Sequence, residues 1–308
     1  MKLSIVLIAF VLISCQNSNQ KREETSSNEQ PLDTAQTTEK VIAKTDTVES
    51  AIEVEIDSSD LTPEPLGLST LRNFELNGNQ RSKKMNDSLF IEFLKAFTIY
   101  QNSANDLLFD HPMYDTWNTL AYSPDNKVAP EATVFEDSVK EIGFMVAMTE
   151  GSIYLGKDPQ FLSRFRPYLS ERMKDFLIEY QEDISNPFMD DGSIVIPITE
   201  LIRRMMFWED FSKYEDFELP DYAIGEFEKY LVNLMLGTGN TPIHDWSDSL
   251  KVRPEMIKTY KTVIDQYPDS KASEYLKDYL IYLEQKKYRY DNSFHKYGRE
   301  KFPSMYGN

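Results

Sequence analysis

The chain has 308 residues, a net charge of −18 at neutral pH and a hydrophobic fraction of 41%. So acidic a balance argues against binding to nucleic acid or adhesion to anionic lipid headgroups, since both attract basic surfaces. A single cysteine excludes an internal disulfide, so that residue needs a role other than cross-linking the fold.

The first 14 residues have the pattern of an export signal. Lys2 precedes an apolar run at 3–13 that one serine interrupts, and such a run is too short to cross a bilayer core of about 30 Å. The run leads into LISC at 12–15, which resembles the lipobox of bacterial lipoproteins. The resemblance implies cleavage before Cys15, acylation of its thiol (as in palmitate-modified lipoproteins) and a membrane anchor. The alternative is an ordinary signal peptide with an accidental cysteine.

The residue after the cysteine bears on location. Gln16 is not an aspartate, and in the sorting scheme familiar from Gram-negative lipoproteins this resembles targeting to the outer membrane. We therefore expect a lipid-anchored envelope protein. The sequence leaves open whether it faces the periplasm or the cell surface.

A polar tether is expected at 15–62. Residues 16–62 contain no aromatic side chain and eleven acidic against four basic residues, a net charge of −7. Such a segment cannot bury enough apolar surface to offset its ordering entropy, so we predict disorder. A flexible coil of this length has a root-mean-square reach of about 40 Å.

Two threonines in this tether stand in a recurring local pattern. Thr34 lies in Asp-Thr-Ala and Thr47 in Asp-Thr-Val, which resemble the short Asp-Ser/Thr-aliphatic sites that Bacteroidota glycosylate on exported proteins. Chance occurrence is the alternative for both triplets.

Helical periodicity dominates residues 63–308. Local signals add expected boundaries: Asn86-Asp87 as a cap, Asp158-Pro159 and Ser170 at two helix starts, and Pro220-Asp221 at a third. Two further helices are expected at about 254–267 and 270–287, and a short extended piece at 193–196. The apolar stripes that support the earlier helices are Phe90, Phe93, Leu94 and Phe97; Val139, Ile142, Met145 and Val146; Met173, Phe176 and Leu177; Leu201, Met205 and Trp208; and Phe227, Leu231, Leu234 and Met235. We predict an all-α domain, with an irregular tail at 288–308.

Two segments share a helix–break–helix plan. Residues 208–236 and 260–285 each contain an aromatic-led helix, a Pro-Asp break and a second helix with Tyr-Leu near its end. The stretch YKTVIDQYPDSKASEYLKDYL at 260–280 resembles tetratricopeptide-type hairpins of envelope lipoproteins. The glycine and alanine positions of a standard repeat are missing, so the resemblance implies a divergent stack of helical hairpins. In layout the chain resembles the uncharacterised helical lipoproteins of Bacteroidota.

Sequence motifs for catalysis and metal binding are absent. There is no HExxH, no paired Cys/His spacing and no GxSxG, so we expect no catalytic residue, no metal and no cofactor. Asp110-His111 is interpreted as a loop or cap. Asp190-Asp191-Gly192 is interpreted as a turn, with calcium binding as the alternative.

The loop at 236–246 is the best candidate for a ligand site. Its composition, LGTGNTPIHDW, has features of a phosphate loop but lacks the lysine and the preceding strand, so a capping glycine followed by a loop is the simpler interpretation. His244, Asp245 and Trp246 would gather polar and aromatic groups there.

Two basic features complete the inventory. Arg203-Arg204 lies at helical spacing from Glu200 and Glu209, which predicts a solvated face of surface ion pairs. The tail at 286–308 is locally basic on an acidic protein. It is expected either to fold back onto the domain electrostatically or to dock a partner.

These observations favour a non-enzymatic role. The leading hypothesis is a membrane-anchored envelope lipoprotein whose helical domain binds a protein or peptide partner, since stacked hairpins form concave grooves. The alternative is a small-ligand receptor or an enzyme with a pocket near 236–246.

Overall fold

The computed structural model describes residues 65–111, 114–116, 130–149, 152–214, 219–247 and 250–306. The predicted signal peptide and lipobox, the tether, Cys15, Thr34 and Thr47 all lie outside these residues.

The described chain is mostly helical, and its strands form small antiparallel pairs. The helices are α1 Leu66–Asn77, α2 Lys83–Leu108, α3 Pro130–Glu141, α4 Pro159–Ser163, α5 Glu171–Ser185, α6 Ile198–Ser212, α7 Pro220–Leu236, α8 Pro254–Gln266, α9 Lys271–Gln285 and α10 Ser293–Lys301, with 3₁₀ turns at Arg166–Tyr168 and Pro303–Tyr306. The strand pairs are β1 Phe144–Thr149 with β2 Ser152–Lys157, β3 Met189–Asp190 with β4 Ser193–Ile194, and β5 His244–Asp245 with β6 Lys251–Val252. The helical class predicted from periodicity is confirmed at this level.

The β1–β2 hairpin corrects one predicted helix. The stripe that begins at Val139 does not continue through Met145 and Val146, because α3 ends at Glu141 and both residues lie in β1. Gly143 has φ +95°, a conformation that glycine adopts without steric cost, and the turn there ends the helix. Apolar residues three positions apart fit a helix locally, but this spacing does not reveal that the backbone turns at Gly143.

The start of α2 corrects a second prediction. Ser82 is the N-cap, and its hydroxyl accepts a hydrogen bond from the Met85 N–H at 3.2 Å. Asn86 is instead buried inside the helix, where its Nδ2 donates to the carbonyls of Gly78 (2.8 Å) and Tyr168 (2.9 Å). These bonds tie the end of α1 to the turn before α5, a tertiary role that cap statistics do not reveal.

Phenylalanines form the core around α2. The predicted face Phe90, Phe93, Leu94 and Phe97 is buried, as expected. The ring of Phe97 stacks parallel to that of Phe144 with a centroid distance of 4.6 Å, and Phe93 stacks on Phe165 at 4.9 Å. Aromatic packing therefore joins α2 both to the hairpin and to the segment after α4.

Side chains of α2 also reach the backbone of β2. Asn105 accepts a hydrogen bond from the Leu155 N–H (2.7 Å) and donates to its carbonyl (3.1 Å), while Gln101 donates to the same carbonyl at 2.8 Å. The carboxamide of Asn105 thus bonds both backbone groups of Leu155, as a neighbouring strand would.

Several predicted caps are confirmed. Asp158 accepts from the Gln160 N–H at the start of α4, and Ser170 accepts from the Met173 N–H at the start of α5. Pro220 begins α7, and Gly237, with φ +69°, ends it. The extended piece expected at 193–196 is the short strand β4, at 193–194.

Asp191 and Gly192 form the β3–β4 turn, with φ values of 44° and 65°. Positive φ at both central residues is typical of the tight hairpin turn that Asp-Gly favours. The turn interpretation of this acidic triplet is therefore confirmed.

Among the helices from α6 onward, α6 packs against α7 and α8 against α9, and α9 also contacts α6 and α7. Tyr260 of α8 is fully buried, and its hydroxyl lies 3.1 Å and 3.0 Å from the carbonyl oxygens of Leu234 and Met235 at the end of α7. One side chain thereby satisfies carbonyl acceptors that have no partner within the helix at its C-terminus.

The tail at 288–308, predicted to be irregular, instead contains the helix α10 and packs back onto the domain. Phe294 and Phe302, in and just after α10, are fully buried. Lys301 pairs with Asp278 of α9 at 3.0 Å. The fold-back is therefore apolar at its centre as well as electrostatic at its edge.

Candidate functional site

The loop after α7 is a compact turn that leads into β5. The Thr238 N–H donates to the Thr241 carbonyl at 3.0 Å, and Gly237 bridges Pro242 across the turn. A Cβ at Gly237 would lie 2.6 Å from the Thr241 carbonyl oxygen, so the position requires glycine. The glycine therefore caps α7 and allows the close approach of the returning chain.

His244 is buried, with only 3% of its surface exposed. Its ring stacks on Tyr290 at a centroid distance of 4.1 Å and meets the Trp246 ring edge-on at 4.5 Å. Neither ring nitrogen has a hydrogen-bond partner among the described residues. Burial lowers the pKa of His244, and the positive charge of Arg253 lowers it further, against the opposing effect of Asp245. The ring is therefore neutral at physiological pH and serves as a packing surface.

The other two predicted site residues are exposed. Asp245 accepts hydrogen bonds through Oδ1 from the Ser247 N–H (2.8 Å) and hydroxyl (2.7 Å). Trp246 has 69% of its surface exposed. The structure thus brings His244 and Trp246 into contact, while Asp245 lines a separate cleft.

That cleft lies between β6 and the start of α8 and has a volume of about 340 Å³. Two cations, two carboxylates and apolar groups line it: Asp245, Lys251, Val252, Arg253, Pro254, Glu255, Ile257 and Tyr288. A cleft of this size suits a small ligand. The loop sequence indicated Asp245. Tyr288 belongs to the C-terminal segment, and no local sequence signal links it to Asp245.

A larger groove lies between α1 and α2, with a volume of about 760 Å³. Its apolar lining includes Phe74, Leu89 and Phe93, and its polar lining includes Asn73 and Arg81. Sequence reasoning missed this groove because α1 was not recognised as a separate apolar helix. Its mixed lining suits an amphipathic peptide better than a compact polar molecule.

The prediction of a solvated Arg203-Arg204 face is wrong for Arg204 and for its predicted neighbour Glu209, whose side chains are both fully buried. Arg204 donates to Glu200 (2.8 Å), to Asp183 (3.1 Å) and to the Asn186 carbonyl (2.8 Å). Helical spacing identified the Glu200 partner, but Asp183 and Asn186 lie at and just beyond the end of α5, so they become neighbours only in the folded chain.

Asp183 is the centre of this buried network. The Tyr230 hydroxyl donates to its Oδ1 at 2.6 Å, and the Trp208 Nε1–H donates to its Oδ2 at 3.2 Å. Burial raises the pKa of Asp183, although the bond from Tyr230 opposes this shift. The network joins α5, α6 and α7, and its groups satisfy one another, so its role is structural.

The remaining predicted histidine is also a packing residue. The ring of His111 stacks on Phe135 at 5.3 Å, and burial lowers its pKa.

Across the described residues, no cluster of three or more His, Cys, Asp or Glu side chains is arranged to hold a metal ion. Nor does that part of the chain contain a helix both long and apolar enough to span a bilayer. No protein-family model, curated protein or solved structure matches the chain.

Proposed function

We propose that this chain is a membrane-anchored envelope lipoprotein whose helical domain binds a protein or peptide partner. The observation that carries the proposal is the groove between α1 and α2, where Phe74, Leu89 and Phe93 form an apolar lining. Helix-lined grooves of mixed polarity accept amphipathic peptide segments, whose apolar side chains fill the floor. Met85, which is 54% exposed, lies at this groove and offers further apolar contact.

We also infer that the domain is a divergent, tetratricopeptide-like stack of helical hairpins. The consecutive packing of α6 with α7 and of α8 with α9 supports this inference. The YPDS break at 267–270 falls between α8 and α9, as in the hairpins that this sequence resembles. Stacked hairpins commonly present extended binding surfaces.

Site-specific photo-crosslinking in membranes tests the partner. A photoreactive residue at Met85 is expected to capture one protein or peptide in stoichiometric amount. The same residue at Ile178 is the matched control, because Ile178 is also an exposed apolar helix residue (48%) but does not line the groove. Equal capture at both positions, or none at Met85, would count against the groove as the binding surface.

The anchor rests on the LISC sequence at 12–15. Mass spectrometry of the mature protein is expected to show an acylated Cys15 at the N-terminus, and Cys15→Ser should release the protein from membranes. A mature N-terminus at any other residue would contradict the proposed lipid anchor. The same spectra test the proposed glycosylation at Thr34 and Thr47, where sugar masses should disappear on substitution by alanine.

A second candidate function is the binding of a small ligand in the 340 Å³ cleft beside Asp245. Its polar groups converge above an apolar wall, as in many ligand sites. Fractionated cell extract is expected to quench the fluorescence of the exposed Trp246 in the parent protein. This quenching should be lost in an Ile257→Phe variant, because the larger side chain fills the cleft without adding a fluorophore. Quenching that survives the filled cleft would rule this candidate out.

A further inference from the structure

A third extended segment lies beside the β5–β6 pair. Arg289 forms an antiparallel bridge with Lys251, flanked by a 2.8 Å hydrogen bond from the Val252 N–H to the Tyr288 carbonyl. In this hydrogen-bonding pattern Lys251 and Arg289 are the non-hydrogen-bonded pair, in which facing side chains come closest. Two cationic side chains are therefore direct cross-strand neighbours.

This juxtaposition is unfavourable on its own, because like charges directly opposite each other destabilise a strand pair. Lys251 and Arg289 are both exposed, and neither forms an ion pair with a described residue. The chain has 51 acidic and only 33 basic residues, so carboxylate partners are in surplus elsewhere. Asp245 is the cross-strand neighbour of Lys251 in β5, and its carboxylate, which accepts from Ser247 through Oδ1, offsets one of the two positive charges. An external anion would relieve the repulsion.

The cleft adjoins this pair. Lys251 and Arg253 are two residues apart in an extended segment, which places them on one side of the chain, and both line the cleft. Arg253 also forms no ion pair with a described residue. Pro254 and Ile257 contribute apolar wall. Two cationic side chains thus line a cavity that has room for a small molecule.

The backbone around this pair is held in an unusual conformation. Leu250, Lys287 and Tyr288 have φ values of 59°, 52° and 58°. Non-glycine residues adopt this left-handed region at an energetic cost, and such strain is typical of segments whose side chains must be placed accurately. The strands that carry Lys251 and Arg289 are therefore fixed by the fold rather than by mutual attraction of their side chains.

We propose that Lys251 and Arg253, which line the cleft, bind the phosphate group of a small molecule there, and that Arg289, the cross-strand neighbour of Lys251, adds to their positive charge. A phosphate dianion accepts several charge-assisted hydrogen bonds, and the planar fork of arginine suits its oxygens. The carboxylates of Asp245 and Glu255 at the cleft repel a second anionic group, so the remainder of the ligand is neutral or cationic. The inference rests on the second candidate function and adds the ligand class to it.

Calorimetric titration of the full-length protein tests the proposal with two soluble probes, inorganic phosphate and glycerol 3-phosphate. Binding is expected at millimolar phosphate or below, and the Lys251→Gln/Arg289→Gln variant should bind at least about tenfold more weakly, the effect typical of lost charged contacts. Lys84→Gln/Lys95→Gln is the matched control, since it removes the same charge from exposed lysines of α2 and should leave affinity unchanged. Circular dichroism establishes that both variants fold.

Vesicles of phosphatidylglycerol form a second arm. Binding to vesicles that the Lys251→Gln/Arg289→Gln variant loses would assign the phosphate to a lipid headgroup, whereas binding of the soluble probes alone assigns it to a solute. No binding of any phosphate probe, or equal losses in the test and control variants, overturns the proposal. If the Ile257→Phe variant still abolishes ligand-dependent quenching in that case, the cleft remains a ligand site and only the phosphate class is wrong.

Discussion

Glu209, fully buried in α6, accepts a hydrogen bond at 3.0 Å from the backbone N–H of Ala272 in the first turn of α9. Its second oxygen accepts from the Lys271 N–H at 2.9 Å. Ser270, the N-cap of α9, binds the N–H of Ser273, so together these side chains satisfy the N–H groups that begin the helix. A carboxylate from α6 thus caps α9, where the helix dipole favours negative charge.

Glu209→Ala is expected to lower the free energy of unfolding by about 2–4 kcal/mol, because it leaves buried N–H groups without acceptors. Glu209→Gln should cost less, since the amide retains one oxygen acceptor. Urea unfolding measures both variants. The exposed Glu284→Ala is the control and should change stability by less than about 0.5 kcal/mol. A Glu209→Ala loss no larger than that of the control would show that solvent replaces the cap.

Arg204→Met is expected to destabilise the protein by about 3–5 kcal/mol, because Asp183 then stays buried without its cationic partner. The exposed pair of Arg164 and Glu75 supplies the control, and Arg164→Met should cost at most about 1 kcal/mol. A double-mutant cycle with Asp183→Asn measures the coupling directly. Strictly additive losses would contradict a direct interaction between Asp183 and Arg204.

Acid is expected to destabilise the domain through Glu200, whose partners Arg203 and Arg204 lie in the same helix. Hydrogen bonds from Arg203, joined by those from Arg204 and opposed by burial, lower the pKa of Glu200 from 4.5 to about 2. A carboxyl group with a lowered folded-state pKa stabilises the protein fully above its unfolded pKa, and this contribution is lost as the pH falls from about 4.5 to 2. Urea unfolding at several pH values should show a flatter profile for Glu200→Gln in that window. A profile identical to that of the parent protein would refute the assignment.

Two glycines should respond oppositely to alanine. At Gly143, φ is +95° and an added Cβ would lie 2.7 Å from the Phe161 ring, so Gly143→Ala is expected to cost about 1–3 kcal/mol. At Gly225, inside α7, a Cβ meets nothing within 4 Å, and Gly225→Ala should stabilise the helix by about 0.5–1 kcal/mol. Thermal unfolding of the two variants provides the comparison. The same sign for both would contradict the backbone argument.

His244→Phe should make stability less sensitive to mild acid. Since the folded-state pKa of His244 lies below its ordinary value of 6.5, the unfolded chain binds the proton more readily, and stability falls as the pH drops below about 6.5. Phenylalanine preserves the stacking on Tyr290 without the titration. Chemical denaturation at pH 7 and pH 5 measures the difference. A larger loss at pH 5 in the variant would instead indicate that the protonated ring is stabilised by the neighbouring aromatic faces.

Features that depend on neighbouring residues in sequence could be predicted. Asp158 and Ser170 cap helices through bonds within three residues, and the stripe from Phe90 to Phe97 is buried as its periodicity implies. The burial of Arg204 could not be predicted, because its partner Asp183 lies 21 positions earlier in the sequence. The cleft could not be predicted for the same reason, because the residues that line it are distant in sequence.

At the cleft, the sequence indicated the segment that contains Asp245 but not the facing groups. Arg289, 38 positions after Lys251, is brought beside it by backbone pairing, and left-handed residues between α9 and α10 make this pairing feasible. Neither feature has a local signature, since the residues involved are not glycines. The net charge of −18 likewise gives no indication that Lys251 and Arg289 are neighbours.

The bonds from Asn105 to Leu155 have a consequence for behaviour at high concentration. An exposed strand edge offers unpaired N–H and C=O groups on which another chain can begin to polymerise. At Leu155 both groups are already occupied by a side chain of α2, so a second molecule finds no template there. Replacing Asn105 by leucine would leave the Leu155 N–H without its acceptor and open that donor to pairing with a second molecule, while Gln101 still donates to the Leu155 carbonyl.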